Sequence, residues 1–551
     1  MTEEYDVIVV GGGSAGCPLA ARLSEDGWTR VLLVEAGPDS RDWRIRMPLA
    51  VDRLLNGTAY NWAYTSEHEA GLGRAVPQPR GRVLGGSSAI NGMVYTRPNP
   101  QDFEAWRDRF GCTGWGYADV LPYFRRMEAA PWGDPRYRGH KGPLRVTRPD
   151  ARNPLNRAFL EAGRALGYPM SDDLNGAQHE GFGISEQSIV NGQRNASAFA
   201  WLTPEVRRRA NLTIVTGALA EGILTEGRRA TGLRYSVNGQ PQEVRAREVV
   251  LAAGGIGSPQ LLMLSGIGPG PQLSALGLPV VADLPGVGQN LQDHPDLAIQ
   301  FACREAVTLR RAALWPRKAL VGLEWFLRHT GIAASNQFEV AAYIRTRAGL
   351  SQPNLKLEFF PLALDHKTYA PYPQEAFQIH MTIQDSPTRG TLSLHSADPK
   401  AAPILRFNYL SDPADMATFK EAIRLTRELV DAAPFARYRG IELEPGEAAS
   451  SESSLEDWIR SRVTTAYHVS CTARMGSASD PLTVVGPDLR VHGIEGLRVA
   501  DASVMPQVVS ANTNATCMMI GERAADLILG KALAPDPAPF WVHPSWQTEQ
   551  R

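Results

Sequence analysis

Cysteine is scarce in this chain of 551 residues, which has five of them scattered along its length. Cys17, Cys112, Cys303, Cys471 and Cys517 are odd in number and no two have zinc-ligand spacing, which argues against a disulfide framework and a structural zinc site. A reducing compartment suits such a chain best. Long apolar runs are absent as well, and without a run of about 18 apolar residues no membrane-spanning helix is expected.

An excess of one charge is lacking too, since 57 basic and 58 acidic residues leave a formal net charge of −1. Nucleic acid is therefore not expected as the main partner. The N-terminal sequence MTEEYDVIVVGGG has neither the basic nor the apolar segment of a signal peptide. We expect a cytoplasmic protein of about two or three domains, because a chain of this length exceeds one hydrophobic core.

The beginning of the chain has the pattern of a strand, a glycine-rich turn, a helix and a second strand. YDVIVV and RVLLVEAG are apolar runs suited to buried parallel strands. Between them, Gly11, Gly13 and Gly16 fit G-x-G-x-x-G, which combines a tight turn, close backbone contact with a pyrophosphate and close helix–strand packing. Glu35 ends the second strand, where a carboxylate binds a ribose hydroxyl. The motif predicts dinucleotide binding, leaves NAD and FAD open, and by its N-terminal position favours FAD.

Later segments predict further elements from their hydrophobic periodicity. REVVLAAGGIGSPQLLMLSGIG indicates another strand, glycine turn and helix, and FQIHMTIQ and GTLSLHS alternate like antiparallel strands with one covered face. DPADMATFKEAIRLTRELVDAA is an amphipathic helix pattern, and ATCMMIGERAADLILG predicts a closing helix capped by Gly530. The proline-rich tail APDPAPFWVHPSWQTEQR is expected either to pack along the surface or to fray.

Four motifs resemble those of a known family. GRVLGGSSAINGMVYTRPNPQDFE (residues 81–104) resembles the first signature of the glucose–methanol–choline (GMC) flavoprotein oxidoreductases. GGIGSPQLLMLSGIG resembles the second, although Gly255 stands where that pattern usually has Ala, Ser, Thr or Pro, and YHVSCTARMG and DASVMPQVVSANTNATCMMIGERAADLI resemble the C-terminal motifs. NGMVYTRP, GLEWFLRHTGIAASNQFE, NLQDHPDLAIQ and ILRFNYLSDP are most similar to the bacterial choline dehydrogenase and alcohol dehydrogenase branch. The similarity runs from about residue 5 to about residue 530.

The resemblance implies a fold of mixed α+β and α/β class. It consists of a Rossmann-like FAD-binding domain of the GMC type and a discontinuous substrate domain built on an antiparallel sheet with flanking helices. We assign residues 1–150, 205–300 and 480–533 to the FAD-binding domain, residues 151–204 and 301–479 to the substrate-binding domain, and residues 534–551 to a C-terminal tail.

The resemblance also implies which residues contact FAD. Gly85, Gly86, Ser87, Ser88 and Asn91 combine small size with hydrogen-bonding groups, as a ring held against the backbone requires. The full set of implied contacts is Gly11, Gly13, Ser14, Ala15, Gly16, Glu35, Ala36, Arg82, Leu84, Gly85, Gly86, Ser87, Asn91, Gly92, Met93, Val94, Ala253, Asp501, Ala502, Asn512 and Thr513. Asp501 either binds the ribityl or phosphate region or caps a loop. Some family members carry a His bonded covalently to the flavin where Ile90 stands here, so we expect non-covalent FAD.

The chemistry implied by the family is oxidation of a primary alcohol to an aldehyde. A base takes the hydroxyl proton and a hydride passes to flavin N5, after which the electrons leave for oxygen, a quinone or a dye-like acceptor. His468 aligns with the family's catalytic His, and a base in that place contributes about 10²–10⁴-fold. Asn512 aligns with its partner and can hold the alcohol oxygen. A lyase of the same fold with non-redox FAD is the alternative enzyme class.

Cys471 raises a third hypothesis, because it follows His468 by three residues as in a thiol hydrolase. A nucleophilic Cys needs an orienting third group and a depressed pKa, and the sequence supplies neither. The family more often has Gly at this position. If that Gly has a positive φ, Cys471 is expected to be strained.

The substrate is less well defined by the sequence. Glu339, in SNQFEVAAY, corresponds to a similar stretch in choline-oxidising relatives, and a carboxylate beside aromatic rings can hold a quaternary ammonium. The candidate substrate contacts are Trp62, Glu339 and Phe359, and further aromatic candidates are Trp325, Phe338 and Phe360. The alternative is that most of these side chains belong to the core. Choline and aliphatic, aromatic or bulky xenobiotic alcohols all remain open.

The segment LRRAALWPRKALVGLEWFLRHTG is basic and aromatic. It is interpreted as a substrate-domain helix whose Arg side chains extend off an apolar face, as a lid, or as a peripheral contact with the inner membrane face. A monomer and a homodimer are both compatible with the sequence.

Overall fold

The structure is a computed structural model that describes residues 4–366, 368 and 370–551. Its helices, in chain order, are α1 (Gly16–Leu23), α2 (Trp43–Arg46), α3 (Val51–Leu55), α4 (Pro100–Asp108), α5 (Tyr117–Met127), α6 (Pro154–Ala165), α7 (Ser197–Trp201), α8 (Pro204–Arg207), α9 (Gly254–Leu264), α10 (Gly270–Ala275), α11 (Arg310–Ala313), α12 (Arg317–Arg328), α13 (Pro413–Asp431), α14 (Glu452–Arg462) and α15 (Asn514–Ile528).

The strands are mostly short outside two large sheets. In chain order they are β1 (Glu4–Val10), β2 (Val31–Glu35), β3 (Tyr64–Thr65), β4 (Pro77–Gln78), β5 (Val94–Tyr95), β6 (Glu128–Ala129), β7 (Leu144–Arg145), β8 (Gly181–Ile184), β9 (Glu186–Gln187), β10 (Ile189–Val190), β11 (Gln193–Arg194), β12 (Leu212–Thr216), β13 (Ala218–Glu226), β14 (Arg229–Val237), β15 (Gln240–Leu251), β16 (Ile267–Gly268), β17 (Ala282–Asp283), β18 (Pro295–Cys303), β19 (Val340–Ile344), β20 (Leu355–Phe360), β21 (Ala376–Ile383), β22 (Thr391–Ser393), β23 (Ile404–Arg406), β24 (Arg439–Glu444), β25 (Thr464–Thr465) and β26 (Leu497–Val499).

The first sheet has the strand order β12-β2-β1-β15-β14-β13. The β12, β2, β1 and β15 strands pair in parallel, and β26 joins the end of β15 in parallel as well. The other end of β15 continues into an antiparallel meander with β14 and β13. The parallel part is buried on both faces and consists of apolar runs, as a strand–helix–strand unit requires.

The second sheet is antiparallel, with the order β24-β18-β21-β20-β19-β8 and with β25 added to β18. One of its faces packs beneath α6 and α13, where the rings of Phe159, Phe359 and Phe377 lie within 5.5 Å of their neighbours. The other face borders a cavity. Neither face of β21 therefore lies on the outer surface of the protein, whereas its alternating sequence had indicated a single covered face.

The elements expected from periodicity are present, including the β1–α1–β2 unit, the amphipathic helix α13 and the closing helix α15 with Gly530 following it at φ 65°. The division into domains stays a prediction, but its boundary at residue 300 falls inside β18, whose residues pair within the antiparallel sheet. The C-terminal tail packs rather than frays. Trp541 N in the tail donates to the Ala177 carbonyl, and Tyr137 Oη donates to the Pro539 carbonyl of the tail.

All five cysteines are buried and free. Among the residues that the structure describes, no helix is both long enough and apolar enough to cross a bilayer.

Candidate active site

A cavity of about 1500 Å³ is lined by both sheets. This exceeds the roughly 300–1,000 Å³ of common small-molecule sites, so the cavity has room for a large cofactor together with a substrate. The carboxyl ends of β1 and β2 border it on one side. On the other side β18, β20 and β21 turn alternate side chains into it. The cavity therefore lies where a parallel sheet binds ligands, beneath the antiparallel sheet.

Most of the predicted cofactor contacts line this cavity. They come from five separated parts of the chain and are Gly11, Gly13, Ser14, Ala15, Glu35, Ala36, Gly86, Ser87, Asn91, Gly92, Met93, Val94, Ala253, Asp501, Ala502, Asn512 and Thr513.

The other four predicted contacts do not line the cavity. A Cβ at Gly16 would come within 1.9 Å of the Gly11 carbonyl oxygen, so Gly16 serves the packing of α1 against β1. Gly85 donates its amide to the turn that precedes α1, and Leu84 packs against the same turn. Arg82 places its guanidinium 4.8 Å from the ring centroid of Trp62. Gly16, Leu84 and Gly85 thus support the cavity wall from behind, whereas Arg82 is exposed.

The turn before α1 fits a bound pyrophosphate. A Cβ added at Gly13 would meet the Gly86 Cα at 3.8 Å and the Ala252 carbonyl oxygen at 3.9 Å, so a methyl group fits beside Gly13 in ordinary van der Waals contact. α1 begins directly after this turn, and the N-terminus of a helix attracts anions. A side chain at Gly13 would occupy the place that a phosphate needs. The residues present therefore fit the dinucleotide that the sequence predicts.

Glu35 is held in place by backbone amides. Its two carboxylate oxygens accept hydrogen bonds from Gly12 N at 2.9 Å and Gly37 N at 2.7 Å. Burial raises the pKa of Glu35 to about 7, although these amides and Arg82 act in the other direction. A carboxylate oriented in this way at the end of β2 can accept hydrogen bonds from a ribose.

The segment that follows Gly86 forms the next part of the wall. The Asn91 amide oxygen accepts hydrogen bonds from Met93 N at 3.1 Å and from the buried Arg194 guanidinium at 2.7 Å. Ile90 lines the cavity and is only 2% exposed. An aliphatic side chain here offers no atom for a covalent bond to a cofactor.

Asp501 borders the cavity, but its carboxylate is fully used within the protein. It accepts hydrogen bonds from Gly254 N at the start of α9, from the Ser258 hydroxyl, and from the amide and hydroxyl of Ser503. Burial raises its pKa. Of the two sequence interpretations, the geometry favours the loop-capping one, in which Asp501 shapes the wall and the adjacent backbone meets the ligand.

His468 lies in the loop that follows β25 and is 8% exposed. Its backbone amide donates to Asp293 Oδ1 at 2.7 Å, and its ring Nδ1 lies 2.9 Å from Nδ1 of His294. Its Nε2 lies 3.2 Å from the Asn512 amide nitrogen. Both ring nitrogens of His468 are therefore engaged, and both His468 and Asn512 line the cavity.

Lys356 completes this cluster from β20. Its ammonium donates to the Asn512 amide oxygen and to Glu358, each at 2.6 Å. Burial opposes the charge of Lys356, but Glu358 raises its pKa above the ordinary value. For His468, burial and then the neighbouring His294, Lys356 and Arg80 hold the pKa well below its ordinary value. His468 is therefore a neutral base at pH 7.

Cys471 has φ 72°, which confirms the strain expected if the family's Gly has a positive φ. Its thiol is fully buried, and burial raises the pKa of this thiol to about 12. A protonated, inaccessible thiol does not attack a substrate. The geometry therefore argues against the thiol hydrolase.

The predicted substrate contacts divide into two groups. Trp62, Phe338 and Phe360 line the cavity, whereas Glu339, Phe359 and Trp325 do not.

Strand geometry explains the second group. Side chains alternate along β20, so Phe359 points to the core between its cavity-facing neighbours at 358 and 360. Glu339 is turned to Ser335 and Asn156, at 3.3 and 3.1 Å. Trp325 is the buried residue of α12, and its indole N–H donates to the Gly192 carbonyl.

Sequence reasoning missed several polar groups, among them Asp296, Lys356 and Glu358, which line the cavity, and His294, which contacts His468 from behind the lining. The alternation in LKLEFF contains a signal for Lys356 and Glu358, because two charges inside an otherwise apolar strand must face something other than the core. His294 and Asp296, in QDHPD, gave no comparable signal.

Two family models described as GMC oxidoreductase match the chain, one over residues 5–296 and the other over residues 386–521. Among curated proteins, the oxygen-dependent choline dehydrogenase of Photobacterium profundum is 44% identical over 556 residues, covering 100% of this chain and 98% of the relative. The protein of the same name from Rhizobium etli is 45% identical over 544 residues, covering 98% of each.

Solved structures share the fold. Pyridoxine 4-oxidase from Mesorbium loti superposes with a TM-score of 0.87 at 34% identity, covering 96% of this chain and 100% of that one. A formate oxidase superposes with a TM-score of 0.89 at 27% identity, covering 96% and 98%.

Proposed function

This chain belongs to the GMC oxidoreductase family and is an FAD-dependent alcohol oxidoreductase, and from that premise we propose that it converts a primary alcohol to the aldehyde with His468 as the base. The observation that carries the proposal is the meeting of two groups on the cavity wall. A neutral imidazole and a side-chain amide lie 3.2 Å apart, in reach of one substrate hydroxyl.

His468 and Asn512 have different roles at that hydroxyl. His468 Nε2 accepts the hydroxyl proton, which a neutral imidazole does more readily than water. The Asn512 amide donates to the same oxygen and stabilises the negative charge that develops there. Bound FAD supplies the acceptor for the hydride that leaves the carbinol carbon. The low exposure of His468 keeps bulk water from competing for its lone pair.

The cofactor is proposed to bind without a covalent bond. The space beside Gly13, the oriented carboxylate of Glu35 and the segment from Gly86 to Val94 would hold its phosphate, ribose and ring portions. Ile90 supports the non-covalent assignment, since no nucleophilic atom stands at that position.

Choline is the second candidate substrate, favoured by the names of the relatives. Trp62 and the stacked rings of Phe338 and Phe360, 4.8 Å apart, offer aromatic faces to a quaternary ammonium. The carboxylate of Glu358 is already paired with Lys356, so the cavity offers no free counter-charge at that point. We therefore propose a primary alcohol as the substrate class.

The names of the same relatives favour oxygen as the electron acceptor over a quinone or a dye-like acceptor.

A membrane contact is proposed for α12 and the turn before it. Six large apolar side chains are exposed there, with exposed fractions from 38% to 81%: Leu314, Trp315, Leu320, Leu323, Phe326 and Leu327. The same stretch, residues 310–328, carries five basic residues and one acidic residue. An apolar helix face beside basic groups is complementary to an anionic bilayer surface. We propose that this face rests on such a surface at the inner side of the membrane.

The test of the proposed reaction is anaerobic mixing of the FAD-loaded protein with a panel of aliphatic and aromatic primary alcohols and choline. Loss of the oxidised flavin absorbance reports the transfer of electrons. In His468→Ala, we expect this rate to fall by about 10²–10⁴-fold with FAD still bound, because only the proton acceptor is removed. His395→Ala is the matched control, since His395 is exposed and outside the cavity.

Three outcomes contradict the proposal in different ways. Near-normal flavin reduction in His468→Ala removes the base assignment. Cleavage of an added hydroxynitrile to aldehyde and cyanide while the flavin stays oxidised indicates the lyase alternative. Failure of every alcohol in the panel to reduce the flavin argues against the substrate class.

A further inference from the structure

Lys356 is an unusual neighbour for a catalytic pair. Its side chain is only 2% exposed, yet it carries a charge at the wall of the cavity. A buried ammonium persists only with close partners, and Lys356 has two oxygen atoms at 2.6 Å, one on Glu358 and one on Asn512. The Glu358 carboxylate accounts for its charge. The contact with Asn512 is not needed for that purpose.

The ammonium determines which way the Asn512 amide faces. A Lys side chain has three donors and no acceptor, whereas an Asn amide has an acceptor at one end and donors at the other. With the nitrogen end toward Lys356, two donors would meet. The oxygen must therefore face Lys356, and the NH₂ group must face His468 Nε2, at 3.2 Å.

The same reasoning extends to the imidazole. Because the Asn512 NH₂ group is a donor, His468 Nε2 must be the acceptor and carry no proton. The proton of neutral His468 then lies on Nδ1. That proton is donated to Nδ1 of His294, at 2.9 Å, so His294 carries its own proton on Nε2. Each partner in the series Lys356–Asn512–His468–His294 fixes the next.

We propose that Lys356 is a positioning residue that sets the tautomer of the catalytic base, holding the His468 lone pair on Nε2 by orienting the Asn512 amide. The inference rests on the proposed function and goes beyond it, since the reaction itself needs only His468 and Asn512. Without the ammonium, the amide can turn over and present its oxygen to Nε2. That orientation favours a proton on Nε2, and a protonated Nε2 cannot accept one from the alcohol.

The test compares three variants of the FAD-loaded protein. Lys356→Met combined with Glu358→Met removes the donor and leaves no unpaired buried charge. Lys356→Arg keeps a donor-only cation, so it should keep the amide orientation. Lys420→Met is the matched control, because Lys420 on α13 is ion-paired with Glu452 and Glu456 on α14 and does not line the cavity.

We expect anaerobic flavin reduction to fall by about tenfold or more in the double variant, and to stay within about tenfold of the unchanged protein in Lys356→Arg. A second readout follows the tautomer itself by ¹⁵N NMR of histidine-labelled protein. The signal of an unprotonated Nε2, assigned by its loss in His468→Gln, should weaken in the double variant and persist in Lys356→Arg. A loss of packing alone would change the melting temperature but not this signal.

The inference is overturned if the double variant keeps both the rate and the Nε2 signal, or if it loses the rate while that signal stays unchanged. Either result leaves the proposed function standing as long as His468→Ala still abolishes flavin reduction. If His468→Ala reduces the flavin normally, the proposed function fails first.

Discussion

Cys471 lies three residues after the proposed base His468, a spacing that suggests a nucleophile, but the structure buries its thiol. Its backbone is in the left-handed region at φ 72°, and its amide donates to the Ala502 carbonyl at 3.0 Å. This bond ties the loop that carries His468 to the loop before the closing helix. The left-handed conformation costs a non-glycine residue about 1–2 kcal/mol. Cys471 is therefore explained by its place in the backbone and not by thiol chemistry.

Cys471→Ala should leave the rate of anaerobic flavin reduction within about twofold, because the substitution keeps the backbone bond and removes only a protonated, buried sulfur. The folded protein should also resist alkylation by iodoacetamide at this position, since burial raises the pKa of the thiol to about 12. Stopped-flow absorbance and mass mapping of the alkylated peptide check these expectations. Loss of activity in Cys471→Ala, with alkylation of Cys471 in the unchanged protein, would restore the thiol hypothesis.

Individual site residues were predictable only where a local motif marks them. His468 and Asn512 are marked by the motifs that contain them, and the structure brings them to one wall. Glu339 was chosen because its stretch resembles one in choline-oxidising relatives, and Phe359 as a candidate aromatic partner. The direction in which each side chain points depends on the strand register, which neither argument contains. His294 and Lys356 act through partners far away in sequence, and those partners are known only once the chain has folded.

Two glycines at the junction of β1 and α1 have different roles, and substituting each one by Ala tests this difference. A Cβ at Gly13 would fit at the cavity in ordinary van der Waals contact, whereas a Cβ at Gly16 would overlap the Gly11 carbonyl oxygen. Gly13→Ala should therefore fold and bind FAD at least about tenfold more weakly, because the methyl group occupies the phosphate position. Gly16→Ala should lose folded protein as well.

Flavin absorbance per protein and far-ultraviolet circular dichroism separate these two results. A Gly13→Ala variant with normal FAD content would mean that the pyrophosphate does not contact this turn. An unfolded Gly13→Ala variant would mean that the space at Gly13 is needed by the protein itself.

Strands and helices were predicted well where their periodicity is strong. Parallel strands such as β1 read as apolar runs and α13 as an amphipathic stripe, because each buries its side chains in a repeating pattern. The sequence pattern did not single out β18 as a strand, and only its pairing partners reveal the sheet to which it belongs.

The assembled molecule brings together groups that are remote along the chain. His294 precedes β18, Lys356 lies on β20, His468 follows β25 and Asn512 precedes α15. These four residues lie in four separate stretches of the sequence. Both sheets must form before the base acquires its tautomer, so the chemistry depends on the whole fold.

The exposed apolar face of α12 leads to a prediction about binding of the protein to a membrane surface. Leu320→Glu combined with Leu327→Glu should reduce binding to vesicles of phosphatidylcholine and phosphatidylglycerol, because both side chains are exposed and apolar beside basic groups. Reduction of the flavin by a soluble alcohol should not change, since neither residue lines the cavity. Vesicle co-sedimentation at low and high salt measures the effect, and added salt should weaken it.

Ile441→Glu is the matched control, because Ile441 is 72% exposed on the distant strand β24. Absence of binding to anionic vesicles in the unchanged protein contradicts the membrane proposal. A self-associated protein that becomes monomeric in the double variant, as measured by light scattering without lipid, would show instead that a second copy covers this face.

The alternation along β20 has a practical consequence for engineering. Positions 356, 358 and 360 face the cavity, while 355, 357 and 359 belong to the core. A mutant library at the even positions, with 356 and 358 changed together because their charges are paired, therefore samples substrate scope and rate while leaving the folding core intact. A library at the odd positions yields mostly insoluble clones. Screening effort on this strand is thus best placed at every second codon.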